Sequence, residues 1–271
     1  MKSYRIVQKE GITWITFPLL SSMSEIVHFT TTRIGGISLP PQDSLNMGFV
    51  KTDTPDAVIE NRKRLAQALE IPFERMLFSR QTHSNHVHHV ECGDIGKGLL
   101  QKNTAIQDND AFIVAEPQLV PVVLTADCVP IILYDIRQKI AAVIHAGWRG
   151  TVHKITSTVI TEMVRMGCSP QYIYAAIGPS AGPCCYEVGK DVFDAFLYSF
   201  GNIATSFFSP HTPPYTLNLW KANEYLLICH GILPEHIETA ELCTICNPHL
   251  FFSSRYNKGT TGRMASGIMI K

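Results

Sequence analysis

Three residues of this 271-residue chain carry donor atoms that a metal would take: His83 in Gln-Thr-His, Cys128 in Thr-Ala-Asp-Cys and His145 in Ile-His-Ala-Gly-Trp-Arg-Gly. Each stands at or near the end of an apolar, strand-like segment beside a small or turn-forming residue, where ligands meet in sheet-based enzymes. One thiolate and two imidazoles make a plausible set for zinc, and three protein ligands leave a fourth position open for water or substrate. Zinc in such a site lowers the pKa of a bound water to about 7. The spacings are those of neither a zinc finger nor a thermolysin-type helix. On residue types alone, an ordinary surface or core role for each histidine therefore remains the commoner reading. The same residues also suit a cysteine hydrolase, with Cys128 as nucleophile and His145 as its base. A third class is a zinc-stabilised binding module without catalysis.

The elements that must position these residues can be read from periodicity. Strands are expected over Ile12–Phe17 and Ile26–Thr31, the second ending in the Gly-rich stretch from Arg33 to Ser38. Thr54-Pro55 opens a helix, with Val58, Ile59, Arg62, Leu65, Ala66 and Leu69 at three- and four-residue spacings, and Ile71-Pro72 stops it. Strand-like segments follow over 76–91, 110–116, 119–135 and 139–150. The last two carry near-continuous apolar runs, as expected of strands covered on both faces. A helix is expected from about Thr151 to Met166, its free N–H groups facing an anion beside His145. A strand over 172–179, helices near Gly189–Phe200 and Leu219–His230, and a last strand near Ala265–Ile270 complete the pattern.

Composition bounds the class. Hydrophobic residues make up 45% and charged residues 17%, ample for a buried core. Lys plus Arg equals Asp plus Glu at 23 each, so no net positive field gathers nucleic acid or an anionic membrane. No apolar run approaches the ~20 residues of a membrane span, and the first residues lack a signal-peptide core. A cytoplasmic protein is expected, organised as one domain over residues 1–271. In that compartment the eight cysteines read as thiols, ligands or catalytic groups rather than disulfides. Cys243-x-x-Cys246 suggests a redox pair or half a zinc site, but no second pair has matching spacing. Unpaired thiols are the expectation there.

Five blocks taken together are more specific: QTHSN at 81–85, TADCVPIIL at 125–133, VIHAGWRGT at 143–151, AIGPSAGPCCYEVG at 176–189 and FFSSRYNKGTTGR at 251–263. In this order they closely resemble the YfiH family. The last block departs from the family where it commonly has a basic or His residue before the Arg, reading Ser253-Ser254-Arg255. The family is described both as multicopper polyphenol oxidase-like and as purine nucleoside phosphorylases with adenosine deaminase activity, and some members are associated with amide cleavage in cell-wall precursor editing. The resemblance implies an α+β fold of mixed β-sheets packed together and flanked by helices. It also implies zinc ligation by His83, Cys128 and His145.

Phosphorolysis of adenosine, inosine or S-methyl-5'-thioadenosine would need cationic or N–H groups for phosphate. Arg33, Asn46, Arg149 and Arg263 are the candidates, each in a family-like segment rich in Gly or turn residues. Deamination of adenosine would need a carboxylate to move protons. Asp127 and Asp110 are the candidates, either as acid/base or as the partner that orients a histidine. Cys184-Cys185 belong to a family-like loop, which puts Tyr186 and Glu187 at the pocket border. Copper is an alternative metal for the trio, but laccase chemistry needs a second, His-rich cluster, and the only His-x-His is His86 with His88. The partners expected are therefore a purine nucleoside and phosphate, with no nucleic acid and no membrane.

Overall fold

The structure is a computed structural model that describes residues 3–210 and 212–271. One six-stranded sheet runs in the order β1 (Arg5–Lys9), β2 (Ile12–Thr16), β3 (Ile26–Thr31), β15 (Met264–Ile270), β7 (Val120–Thr125) and β4 (Met76–Phe78). A second runs β14 (Ile237–Thr239), β10 (Ile173–Ile177), β8 (Val129–Asp135), β9 (Ile140–Ala146), β6 (Ala111–Val114) and β5 (Val87–His89). Both are mixed: β4 pairs parallel with β7, and the edge strands β14 and β5 pair parallel with β10 and β6. A small third sheet holds β11 (Glu187–Val188), β13 (Tyr215–Leu217) and β12 (Phe208–Ser209). The helices are α1 (Pro18–Ser21), α2 (Pro55–Leu69), α3 (Trp148–Val152), α4 (Ile155–Arg165), α5 (Lys190–Phe200) and α6 (Leu219–Cys229).

The apolar runs of β8 and β9 have a physical reason. Ile132 and Tyr134 of β8 and Ala141 and Val143 of β9 pack against Val123, Ile15 and Ile268 of the first sheet. Their neighbours Ile131, Leu133, Ala142 and Ile144 pack on the other face against Val159, Ile160 and Met163 of α4 and Leu227 of α6. A strand alternates its side chains between faces, so a strand buried on both must be apolar at every position. On the far side of the first sheet, Leu65, Ala66 and Leu69 of α2 pack against Met76, Val120 and Val122. The result is α+β, with two mixed sheets face to face and helices on both outer surfaces. Among the described residues no helix is long and apolar enough to cross a membrane.

Two segments that read as continuous strands are each divided between the sheets. The 119–135 run supplies β7 to the first sheet and β8 to the second, crossing at Ala126-Asp127-Cys128. The 76–91 run supplies β4 to the first and β5 to the second, crossing at residues 79–86. Asp127 (φ 90°) and His83 (φ 61°) turn the chain with positive φ, a conformation uncommon outside glycine. Hydropathy marks these polar interruptions, residues 79–86 and the single Asp127, but does not say that the chain changes sheet at them. The helix expected over Thr151–Met166 is likewise broken: α3 ends before His153, and Lys154 (φ 58°) restarts the chain as α4. The N-terminus expected to face an anion is thus that of a five-residue helix.

Candidate functional site

Both chain crossings and the end of β9 meet at one place. The ligand atoms of His83, Cys128 and His145 all lie within 4.8 Å of one another. The two imidazoles meet edge to face with centroids 4.9 Å apart. Asp110, fully buried at the start of β6, fixes both histidines. Its Oδ1 lies 2.8 Å from His145 Nδ1 and accepts the His83 backbone N–H at 3.1 Å. Its Oδ2 accepts from the Ser84 N–H and hydroxyl, each at 2.8 Å, and from the Thr82 N–H at 3.1 Å. With the proton on Nδ1 facing the carboxylate, Nε2 of His145 is left as the ligand atom.

The electrostatics follow from this packing. Burial disfavours the charged carboxylate, yet the His145 and Ser84 hydrogen bonds outweigh it and hold Asp110 far below the usual carboxylate range. Burial would also raise the Cys128 thiol, but the charge of His145 and hydrogen bonds from both histidines hold it down to about 6. The reverse side of the pairing lifts His145 to about 9 against its own burial. A Cys128 thiolate is therefore available near neutral pH, as a ligand or a nucleophile.

Local sequence explains how the trio closes. Gln81 donates its amide N–H to Leu124 O and accepts from Leu124 N, both at 2.8 Å, which ties the His83 loop to β7 just before the Cys128 crossing. A Cβ at position 147 would stand 3.0 Å from both Cys128 Sγ and His83 Cδ2. Gly147 is needed there for space; its φ of −72° is open to any residue. The donor set fits zinc: one thiolate, two imidazoles, one of them backed by a carboxylate, and no fourth protein ligand in the group.

The trio borders a cavity of about 440 Å³, within the range of small-molecule sites. Arg263 lines it, its guanidinium donating at 2.9 Å to Thr261 O and Gly262 O. Arg80, Lys102 and Phe49 also line it and were absent from the sequence expectations. Arg80 lies three residues before His83, so its place in the same loop was a usable signal. Lys102 comes from a distant 3-10 turn and gave none.

The remaining expected anion groups do not join this cavity. Arg33 opens on a separate hollow, where its guanidinium donates to Asp43 O and Pro248 O at 2.7 and 2.8 Å and to Asp43 Oδ1 at 3.1 Å. Asn46 is fully buried. Its amide donates to Asp53 Oδ2 at 2.7 Å and accepts from Arg263 N at 2.9 Å, so it braces the loop that carries Arg263 into β15. Arg149 is on an adjoining surface hollow with Tyr186, Glu187 and Arg255. Burial, with the charge of Cys128 close by, raises the Tyr186 phenol well above its ordinary value. Asp127 turns away from the trio: Oδ1 accepts from Thr244 Oγ1 at 2.6 Å and Oδ2 from Arg255 N at 2.7 Å. The two aspartates, interchangeable in sequence, are thus divided, with Asp110 on the histidines and Asp127 on the neighbouring loops.

Comparison with known proteins agrees with this architecture. The model of a family described as multi-copper polyphenol oxidoreductase laccase matches residues 27–271. The chain is 35% identical to the purine nucleoside phosphorylase YlmD of Bacillus subtilis, over 91% of this chain and 89% of that one. It is 33% identical to the adenosine deaminase RL5 of an unknown prokaryotic organism, over 92% and 96%. The crystal structure of YlmD from Geobacillus stearothermophilus superposes with a TM-score of 0.93 at 33% identity, covering 100% of both chains. That of the hypothetical protein YfiH of Bacillus licheniformis does so with the same score, identity and coverage. With its sheets, its crossings and its sequence all matched over nearly the whole length, the chain belongs to the YfiH family.

Proposed function

We propose that the protein is a zinc-dependent purine nucleoside phosphorylase that acts on adenosine, inosine and S-methyl-5'-thioadenosine and also deaminates adenosine, working in the cytoplasm. The observation that carries this reading is the three-ligand trio opening on a cavity edged by Arg80, Lys102 and Arg263. His83, Cys128 and His145 would hold the zinc, which would supply Lewis acidity there. The cationic side chains gather phosphate, whose oxygen attacks ribose C1′ as the bond to the purine nitrogen breaks. Asp110 keeps His145 in one tautomer and orientation. Arg149 belongs to the approach to this site, Asn46 braces Arg263, and Arg33 ties the loops at Asp43 and Pro248 on the separate hollow. Asp127 acts as a positioning residue beside Cys128.

Zinc-loaded protein incubated with adenosine, with and without phosphate, tests the reading by chromatography. Adenine and ribose 1-phosphate should form only with phosphate, and inosine should form in either case. Absence of phosphate-dependent base release sinks the phosphorylase, and absence of inosine sinks the deaminase.

A second reading, a Cys–His amide hydrolase, draws on the depressed Cys128 thiol beside His145. Fast alkylation of Cys128 in zinc-loaded protein, with loss of an amidase activity, would favour it. Copper-dependent polyphenol oxidation has less support: among the described residues the second metal-capable group is all sulfur and offers no histidine cluster.

A further inference from the structure

Away from the trio, four cysteines converge. Cys184, Cys185, Cys243 and Cys246 place their sulfurs within 4.8 Å of one another. Cys246 Sγ lies 3.4 Å from Cys184 Sγ and 3.2 Å from Cys185 Sγ. A tetrahedral ion with metal–sulfur bonds of ~2.3 Å sets sulfur–sulfur separations of about 3.8 Å, the middle of this range. A disulfide would need a separation of ~2.05 Å, and joining one pair gives no reason for the other two sulfurs to gather at the same point.

The partner pair that Cys243-x-x-Cys246 lacked in the sequence is the adjacent pair Cys184-Cys185. Adjacent residues in a strand face opposite ways, but these two sit in a tight turn, with Cys185 N and Tyr186 N both donating to Gly182 O at 3.0 and 2.9 Å. The turn swings both sulfurs toward Cys246. Gly182 makes the approach possible: a Cβ there would stand 2.6 Å from Trp220 Cη2 and 3.1 Å from Cys243 Cβ. Cys243 Sγ, buried, accepts the Gly182 N–H at 3.3 Å. A backbone donor aimed at the first sulfur of a C-x-x-C turn is what a metal thiolate uses to spread its charge.

We infer that Cys184, Cys185, Cys243 and Cys246 form a second, structural metal site that takes one zinc ion through four sulfurs. Binding releases the protons of the thiols as the ion takes four thiolate bonds, with no change of oxidation state. Four protein ligands fill the tetrahedron, so this ion has no position for substrate. It clamps the 182–185 turn to the 243–246 turn, which the Thr244 N to Ser180 O bond at 2.9 Å already joins. Since Thr244 also holds Asp127 beside Cys128, the clamp supports one wall of the trio.

The test is metal analysis of protein purified with reductant and zinc. Wild type should carry about two zinc ions per chain, Cys128→Ala about one, Cys246→Ser about one and the double variant none. X-ray absorption of the Cys128→Ala protein should show a sulfur-only shell. If that variant does not fold, cobalt-substituted wild type gives the same answer, because its thiolate-to-metal band reports five bound sulfurs if both sites fill and one if only the trio does. A Cys128→Ala chain free of zinc, with its four thiols alkylated readily or two of them joined as a disulfide, overturns the proposal. These readouts do not depend on nucleoside turnover, so failure of the proposed activity leaves them intact.

Discussion

The protein holds two clusters of soft donors built on opposite plans. The trio gathers two imidazoles and one thiolate where two chain crossings and a strand end meet, and it faces a cavity. The quartet gathers four sulfurs on two turns that the backbone already joins. The number of ligands separates their uses: three leave an ion able to exchange a ligand, whereas four close it. Their supports differ in the same way. The trio depends on a buried carboxylate that orients side chains across the sheets, and the quartet on the backbone N–H of Gly182, which meets Cys243 Sγ where the two turns touch. One plan favours chemistry and the other cohesion.

The sharpest way to break this contrast is to remove one ligand from each. Cys128→Ala or His83→Ala should lower kcat/KM for adenosine by ~10³-fold or more, since several kcal/mol of transition-state stabilisation leaves with the ion. The midpoint of thermal unfolding should move only a few degrees. Cys243→Ser should do the opposite, lowering the midpoint by roughly 10 °C, as a loss of about 3 kcal/mol would. Turnover per folded molecule should largely survive. If Cys128→Ala retains turnover, the trio is not the catalytic centre; if Cys243→Ser melts like wild type, the quartet does not hold the fold.

Smaller effects should come from the support around the trio. Asp110→Asn exchanges an acceptor of six contacts for a group that donates on one side, so zinc affinity at the trio should fall ~10- to 100-fold. Competition with a chromophoric chelator measures it, and the second ion should hold as before. Unchanged affinity would remove Asp110 from its orienting role. Gly147→Ala adds a methyl 3.0 Å from two of the ligand side chains and should cost about 1–3 kcal/mol of stability or zinc binding, read by denaturant titration. An Ala variant as stable and active as wild type would mean the trio has more room than its geometry implies.

How much of this was legible beforehand depended on distance along the chain. Helix α2 announced itself through Thr54-Pro55 and a regular apolar face, because caps and periodicity are local. The alternation of β8 and β9 between two cores made them look like buried strands, which they are. What periodicity hid was the sheet each belongs to, since one charged residue in Ala126-Asp127-Cys128 looks like a brief break in a run, yet there the chain passes from one sheet to the other. The trio's residues were visible as types near strand ends, and the family blocks singled them out. Arg33 stands on a separate hollow and Asn46 behind Arg263, a placement that a Gly-rich segment around a polar residue does not reveal. The quartet was missed for a related reason: a search for equal spacing cannot find a vicinal pair 58 residues before Cys243.

The smallest predicted effect tests whether the two plans communicate. Thr244 stands between Cys243 and Cys246, and its hydroxyl donates to Asp127 Oδ1 at 2.6 Å, next to Cys128. Thr244→Val keeps the shape and removes the donor, leaving Asp127 with Arg255 N as its other partner at 2.7 Å. One hydrogen bond to a charged group is worth ~1.5–3 kcal/mol where its partner is left unpaired, and less at a half-buried carboxylate that water can reach. A several-fold fall in kcat with both ions retained is therefore expected, measured by turnover and metal content on one preparation. No fall would make the clusters neighbours without coupling. A fall as large as that of Cys128→Ala would instead put Asp127 in contact with the reacting atoms, and its role would pass from positioning to catalysis.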